Sequence, residues 1–181
     1  MINKITFITG NPAKAEQLSW HLNYPISHQK LDLTEIQSLD LKEVVEHKAK
    51  EAYQKIKCPV LVEDVSLTFN SLGKLPGPFI KWFLIVLDNK GLCRILDNFE
   101  DRSALAEVCF GLYDGKYLHI FDGKMKGVIA DKPRGKKGFG WDPIFIPEGS
   151  KKTWAEMFPE EQKNISMRRQ ALKKLENFLN G

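Results

Sequence analysis

The sequence predicts one mixed α/β domain spanning residues 1–181, and three observations carry that prediction. Short runs of β-branched and apolar residues alternate with stretches whose apolar residues recur at helical spacing. No internal repeat, linker or low-complexity block interrupts them. Hydrophobic residues make up 43% and charged residues 28% of a 181-residue chain, which is enough apolar material to build a core and ordinary for a globular protein. The alternation is compatible with two lobes around a cleft.

Taken in order, Ile5-Thr6-Phe7-Ile8 reads as a short buried strand, and Thr9-Gly10-Asn11-Pro12 as a turn that opens a helix. Asn11 can cap that helix, Pro12 suits its first position, and residues 15–18 are good helix formers. A strand feeding a glycine turn and a helix N-terminus aims backbone N–H groups and the helix dipole outward, which suits an anion. Lys14 could meet a phosphate there, although the stretch is not a Walker A loop and such turns are as often purely structural.

Residues 26–33 fit a second strand, ending near Glu35. A helix then starts at Asp40, with Leu41, Val44, Val45, Ala49, Ala52 and Ile56 on one face and Asp40 and Glu43 at capping-box spacing. Residues 59–62 form a buried strand ending in Glu63 and Asp64. Carboxylates at a strand's C-terminal end sit where open α/β folds place chemistry; a capping or turn pair is the competing reading. Leu75-Pro76-Gly77-Pro78 is a turn that launches a helix over 79–87, with a second short helix over 92–98. Residues 104–113 and 117–129 are long strands joined through Asp114-Gly115, a dipeptide of hairpin character. A strand over 144–147 and an irregular segment through Met157 precede a final helix over 166–179, which turns Leu172, Leu175, Phe178 and Leu179 inward.

Composition excludes several classes. The longest apolar-rich segment, 79–87, carries Lys81 and is too short to span a bilayer, and the first residues do not resemble a signal peptide, so a cytoplasmic protein is expected. Cys58, Cys93 and Cys109 are odd in number and lack zinc-site spacing, which predicts reduced, structural thiols. The net charge of +4 is modest, and its one concentration, Lys132-Pro133-Arg134-Gly135-Lys136-Lys137, is either a solvated loop or an attractor for a polyanionic small molecule. Duplex nucleic-acid binding is disfavoured, since no recognition-helix or stacking-repeat signature accompanies it.

The stretch after that run, Gly138-Phe139-Gly140-Trp141-Asp142-Pro143-Ile144-Phe145, is too punctuated by Gly and Pro to be regular. Glycine lets backbone pass close to something flat, the rings of Phe139 and Trp141 offer stacking faces, and Asp142 can accept from a ring N–H. A heterocycle pocket is one reading. Core packing of the two rings is the other, and taken alone it is the commoner role of aromatics.

Four separated elements then occur together, in order and at matching spacing: Thr9-Gly10-Asn11-x-x-Lys14, Val62-Glu63-Asp64, Leu75-Pro76-Gly77-Pro78 with Ile80-Lys81-Trp82-Phe83, and Gly138-Phe139-Gly140-Trp141-Asp142-Pro143. In these the chain resembles the noncanonical purine nucleoside triphosphate pyrophosphatases, the inosine triphosphatase family, over about residues 5–179. The resemblance implies a mixed elongated sheet with flanking helices, its two lobes around a central nucleotide cleft, in a homodimer that binds neither nucleic acid nor membrane. It also implies a Mg²⁺-dependent hydrolase that splits inosine, deoxyinosine and xanthosine triphosphates into the monophosphate and pyrophosphate, cleansing the nucleotide pool. By the same resemblance Asp64 positions or deprotonates the attacking water, Glu35, Glu63 and Asp64 hold the metal, and Thr9, Asn11, Lys14 and Lys48 bind the triphosphate. Phe139 would stack on the base, Trp141 shape its wall, Asp142 read its edge, and Ser166 and Arg168 contact the nucleotide.

One segment departs from the family's Lys-x-x-x-Ser-His-Arg signature: Gln162 stands at the Lys position and Met167 at the His position, while Ser166 and Arg168 are retained. Methionine donates no hydrogen bond, and one lost bond to a base edge costs roughly 1–3 kcal/mol, so the departure is expected to blunt base specificity more than hydrolysis. The alternatives are a nucleotide-binding homologue with weakened or lost catalysis and, well below it, a basic nucleic-acid-binding module.

Overall fold

Ile5 and Phe7 alternate with Thr6 in a four-residue strand that is buried throughout its first three positions, and the rest of the sheet is laid down around it. A computed structural model describes residues 4–10, 14–15, 18–19, 22, 24–138, 140–163 and 165–181, with only the backbone described for Lys163. Its elements are β1 (Ile5–Ile8), β2 (Ile26–Gln29), α1 (Leu41–Ile56), β3 (Val60–Phe69), β4 (Pro76–Gly77), α2 (Ile80–Arg94), β5 (Ser103–Tyr113), β6 (Leu118–Ile129), β7 (Phe145–Pro147), α3 (Pro159–Lys163) and α4 (Met167–Asn180). Residues 14–15, 18–19 and 22 are also helical. The seven strands form one open sheet in the order β2-β1-β3-β5-β6-β7, with β4 paired to β3. Among the described residues no helix is long and apolar enough to cross a membrane.

The chain divides into two compact units, one of Met1–Asp64, Val108–Asp122 and Ala171–Gly181, the other of Val65–Glu107 and Gly123–Gln170. In the first, β1 runs parallel to both β2 and β3. The apolar face of α1 is as the periodicity predicts: Leu41, Val45, Ala49 and Ala52 pack on Val60 and Val62 of β3 and Cys109 of β5. Full burial of each larger side chain there stabilises by about 1.5–3 kcal/mol. A Cβ at Gly111 of β5 would stand 2.5 Å from Val45 Cγ1, so glycine at that position lets α1 lie this close to the strand.

Several expectations are corrected here. The second strand stops at Gln29, because the register Ile5↔Ile26 to Ile8↔Gln29 uses up all four residues of β1. Residues 30–40 leave the sheet as an irregular strap, and Leu31 and Leu33 pack against the α1 core instead of extending β2. No reciprocal capping box forms at α1. Asp40 Oδ1 accepts from the Lys42 N–H at 2.8 Å, but Ser38 Oγ takes the Asp40 N–H at 3.0 Å and donates to Glu43 Oε2 at 2.6 Å, so the serine interposes. Phe178 is 40% exposed, not fully inward; its ring lies over His119, 4.2 Å between centroids, while Ala171, Leu172 and Leu175 of α4 are buried.

In the second unit, Pro76 and Gly77 form a two-residue strand antiparallel to β3, where a plain turn was expected. The two expected helices are both present within α2 and meet at a kink at Asp88, whose φ is 54°. Asp88 Oδ1 accepts from the N–H groups of Lys90 at 2.6 Å and Gly91 at 3.0 Å, so the second helical stretch starts earlier than residue 92 and residues 95–98 are turns. Arg102 ties the end of this helix to β6, donating to the carbonyls of Cys93, Ile129 and Ala130 at 2.9–3.0 Å.

Candidate active site

The first unit gathers acidic and basic side chains at the carboxyl end of its parallel strands. The last β3 residue registered with β1 is Leu61, opposite Phe7, and β3 continues for eight more residues. Glu63 and Asp64 are therefore mid-strand, not at a strand end as expected, because β3 goes on to pair with β4 beyond the reach of β1. Side chains alternate along a strand, and Val60 and Val62 face α1. Asp64 shares that face and Glu63 points to the other. The two neighbouring carboxylates are thus separated by the sheet.

Lys48 reaches Asp64 from one turn of α1. Its Nζ donates to Asp64 Oδ2 at 2.6 Å and to Glu35 Oε1 at 3.4 Å, and its side chain is only 14% exposed. Burial alone would pull the ammonium down; the charges and hydrogen bonds of Asp64 and Glu35 outweigh it and hold Lys48 above its ordinary value. The strap that carries Glu35 is fastened to the same helix: the Thr34 N–H donates to Glu51 Oε2 at 2.8 Å, and Lys55 Nζ donates to the Asp32 carbonyl. Thr9 follows β1 and donates its N–H to the Gln29 carbonyl at 3.0 Å. Lys14 lies half-buried in the helical stretch after it. Asn11 lies outside the described residues.

Among the described residues no three His, Cys, Asp or Glu side chains come close enough to hold a metal ion by themselves. Glu35 and Asp64 nevertheless share one cation, the Lys48 ammonium, and offer only oxygen donors. Two carboxylates that already converge on a positive charge suit a hard divalent cation, which keeps several waters and needs no complete protein cage.

The second unit holds the aromatic loop. Backbone bonds tie the loop, the basic run before it and the segment 153–156 together: Arg134 N–H to the Pro143 carbonyl, Lys137 N–H to the Ala155 carbonyl, and Ala155 N–H to the Asp142 carbonyl, at 2.9, 3.1 and 3.2 Å. Gly138 has φ +74°, and a Cβ there would overlap the Asp142 carboxylate, so only glycine lets the backbone lie against that side chain. Trp141 is 8% exposed and packs on Trp154 and Phe145 at centroid distances of 5.3 and 5.6 Å, the packing role that the sequence left open. Phe139 lies outside the described residues. Ser166 and Arg168 are half-buried at the start of α4.

Met167 is 7% exposed and packs among the buried core residues. Gln162 donates to the Trp154 carbonyl at 2.8 Å. The basic run is used locally, with Arg134 donating to the Lys151 carbonyl at 2.9 Å and Lys137 over the Phe158 ring. Two contributors were missed in the sequence. Glu51 had a visible signal, its position three residues after Lys48 on one helix face. Asn89, whose Nδ2 donates to the Gly140 carbonyl at 2.9 Å, had none, because its partner lies 51 positions away in the chain.

Comparison with known proteins agrees with this architecture. A family model described as "Ham1 family" matches residues 5–178. The chain is 42% identical over 174 residues to inosine triphosphate pyrophosphatase 2 of Trypanosoma cruzi, covering 94% of this chain and 89% of that protein. Among solved structures, a HAM1 protein from Coxiella burnetii superposes with a TM-score of 0.87 at 28% identity, covering 98% of both chains. A nucleoside-triphosphatase, or dITP/XTP pyrophosphatase, from Mycobacterium abscessus superposes with a TM-score of 0.82 at 26% identity, over 95% of this chain and 98% of that one.

Proposed function

The chain belongs to the Ham1 family, and from that membership we propose that it hydrolyses noncanonical purine nucleoside triphosphates, those of inosine, deoxyinosine and xanthosine, to the monophosphate and pyrophosphate. The observation that carries this reading is the Lys48 ammonium held between Asp64 and Glu35 at the carboxyl end of the parallel strands. Residues 1–181 act as one catalytic domain, in the cytoplasm and as a homodimer, and the exposed apolar side chains Trp82, Ile85 and Val86 of α2 are a surface that a second copy would cover. Sedimentation equilibrium tests the dimer.

Lys48, Thr9, Asn11 and Lys14 bind the triphosphate. Lys48 is charged throughout the physiological range, so it meets phosphate oxygens as a full cation. Asp64 orients a water and takes its proton as the oxygen adds to phosphorus at the α–β bridge; the bridging P–O bond then breaks and pyrophosphate departs. Glu35 and Asp64 would hold Mg²⁺, which when bound neutralises charge on the phosphate oxygens; Glu63, expected beside them, lies on the other face of the sheet and is left out of this set. On the base side Phe139 stacks, Asp142 accepts from the ring edge, Trp141 holds the loop in shape, and Ser166 and Arg168 contact the nucleotide. Met167 is buried, and this reading gives it a packing role.

A panel of inosine, xanthosine, guanosine and adenosine triphosphates, with and without Mg²⁺, tests the proposal by pyrophosphate release. Turnover of the first two that needs the metal and falls about 10²–10⁴-fold in Asp64→Asn is expected. No turnover of any of the four at high enzyme concentration overturns it.

A further inference from the structure

We propose that Glu51 is the positioning residue for Glu35, an inference that rests on reading Glu35, Lys48 and Asp64 as the metal and triphosphate end of the site. Lys48, Glu51 and Lys55 lie at i, i+3 and i+7 and share one face of α1. The strap is laid antiparallel across that face, rung by rung. Lys55 Nζ holds the Asp32 carbonyl, Glu51 Oε2 accepts from the Thr34 N–H at 2.8 Å, and Lys48 Nζ donates to Glu35 Oε1 at 3.4 Å. Lys55 also braces Glu51 from behind, Nζ to Oε1 at 2.8 Å. The hydrogen bond from Lys55, then that from the Thr34 amide, and after them the Lys55 charge, hold the Glu51 carboxyl below its ordinary value, so it stays an acceptor at neutral pH.

Glu35 needs such a guide. Its side chain is 40% exposed, so burial does not choose its rotamer, and its contact with Lys48 is the longer of the two that the ammonium makes. Asp64, by contrast, is set by a strand inside the sheet. Leu31 and Leu33 anchor the strap to the core on one side, but both precede Thr34, and residues 34–40 have no regular structure. The Thr34 amide, one residue from Glu35, is the fixed backbone point next to the carboxylate on its N-terminal side, as half-buried Ile36 and the Ser38–Glu43 hydrogen bond hold the strap on the other. Removing the Glu51 acceptor loosens the strap on the N-terminal side of Glu35 and leaves the pair of Lys48 and Asp64 in place.

The test compares wild type, Glu51→Ala and Glu51→Gln, the last of which keeps an oxygen acceptor for the Thr34 N–H. Three readouts are hydrogen exchange at the Thr34 amide, Mn²⁺ titration without nucleotide followed by electron paramagnetic resonance, and the Mg²⁺ dependence of pyrophosphate release. In Glu51→Ala, Thr34 exchange accelerates and Mn²⁺ affinity falls roughly three- to tenfold, the factor that one hydrogen bond is worth. The Mg²⁺ needed for half-maximal rate rises by a similar factor while kcat at saturating metal changes less than twofold, and Glu51→Gln stays close to wild type. Unchanged Mn²⁺ affinity in Glu51→Ala, or Glu51→Gln impaired as much as Glu51→Ala, overturns the positioning role. A wild-type chain that releases no pyrophosphate overturns the proposed function instead, and the exchange and Mn²⁺ readouts then still decide the role of Glu51.

Discussion

Replacing Lys48 by methionine removes the cation that Glu35 and Asp64 share while keeping most of the buried stem. Glu35 Oε1 and Asp64 Oδ2 lie 3.4 and 2.6 Å from the same Nζ, so the two carboxylates are at most about 6 Å apart. Two negative charges at that distance repel by about 0.7 kcal/mol in water and about 3 kcal/mol at an effective dielectric of about 20. Glu35 is 40% and Asp64 22% exposed, so solvent screening places the cost near the lower end, about 1 kcal/mol. For a chain of this size that lowers Tm by about 2–4 °C. Thermal unfolding of Lys48→Met at low and high salt, with and without Mg²⁺, reads it directly. The deficit shrinks in salt, because counterions screen partly exposed charges, and Mg²⁺ raises the Tm of the variant more than that of wild type by replacing the lost cation. A deficit insensitive to both salt and Mg²⁺, or none at all, refutes the picture of two carboxylates converging on one cation.

Met167→His places an imidazole at a site 7% exposed, costs about 1–3 kcal/mol in thermal unfolding, and leaves the ratio of inosine to guanosine triphosphate turnover unchanged; a sharpened ratio would return Met167 to the pocket wall. Burial pushes the Cys93 thiol up to about 11 and Cys109 to about 12. Ellman's reagent at mildly alkaline pH should therefore modify Cys58 alone in the native chain, and all three thiols of the chain in denaturant. The hydrogen bond from Lys174 holds the Asp122 carboxyl below its ordinary value, so the pair stabilises above the usual carboxylate range and the contribution is lost as pH falls through the lowered pKa. Asp122→Asn should be less stable than wild type by about 0.2–1 kcal/mol at neutral pH, as for other exposed pairs, and indistinguishable from it in strong acid; a gap that widened in acid would reverse the sign.

Much of the fold was legible because the relevant signals are local. The apolar face of α1 recurs at helical spacing within a single stretch, and the long strands β5 and β6 declare themselves on either side of Asp114-Gly115. The four spaced motifs likewise specified the family, since each is a run of neighbouring residues. The errors fall where a partner distant in the chain decides the outcome. The length of β2 depends on how many residues β1 offers, the extent of β3 on β4, and the capping of α1 on Ser38 entering between Asp40 and Glu43.

The same division holds at the site. Sequence by itself determined that Asp64, Lys48 and Glu35 were the groups to watch and that Gly138 must yield to something beside it. Only the tertiary structure decided that Asp64 and not Glu63 faces Lys48, that Met167 is core, and that Glu35 hangs on a strap fastened beside it to Glu51. The reason is one of range: helical and strand periodicity act within a few residues, whereas a side chain's partner is set by how sheet, helix and strap pack. That packing brings together residues 13 to 17 positions apart, and nothing in their local sequence records it.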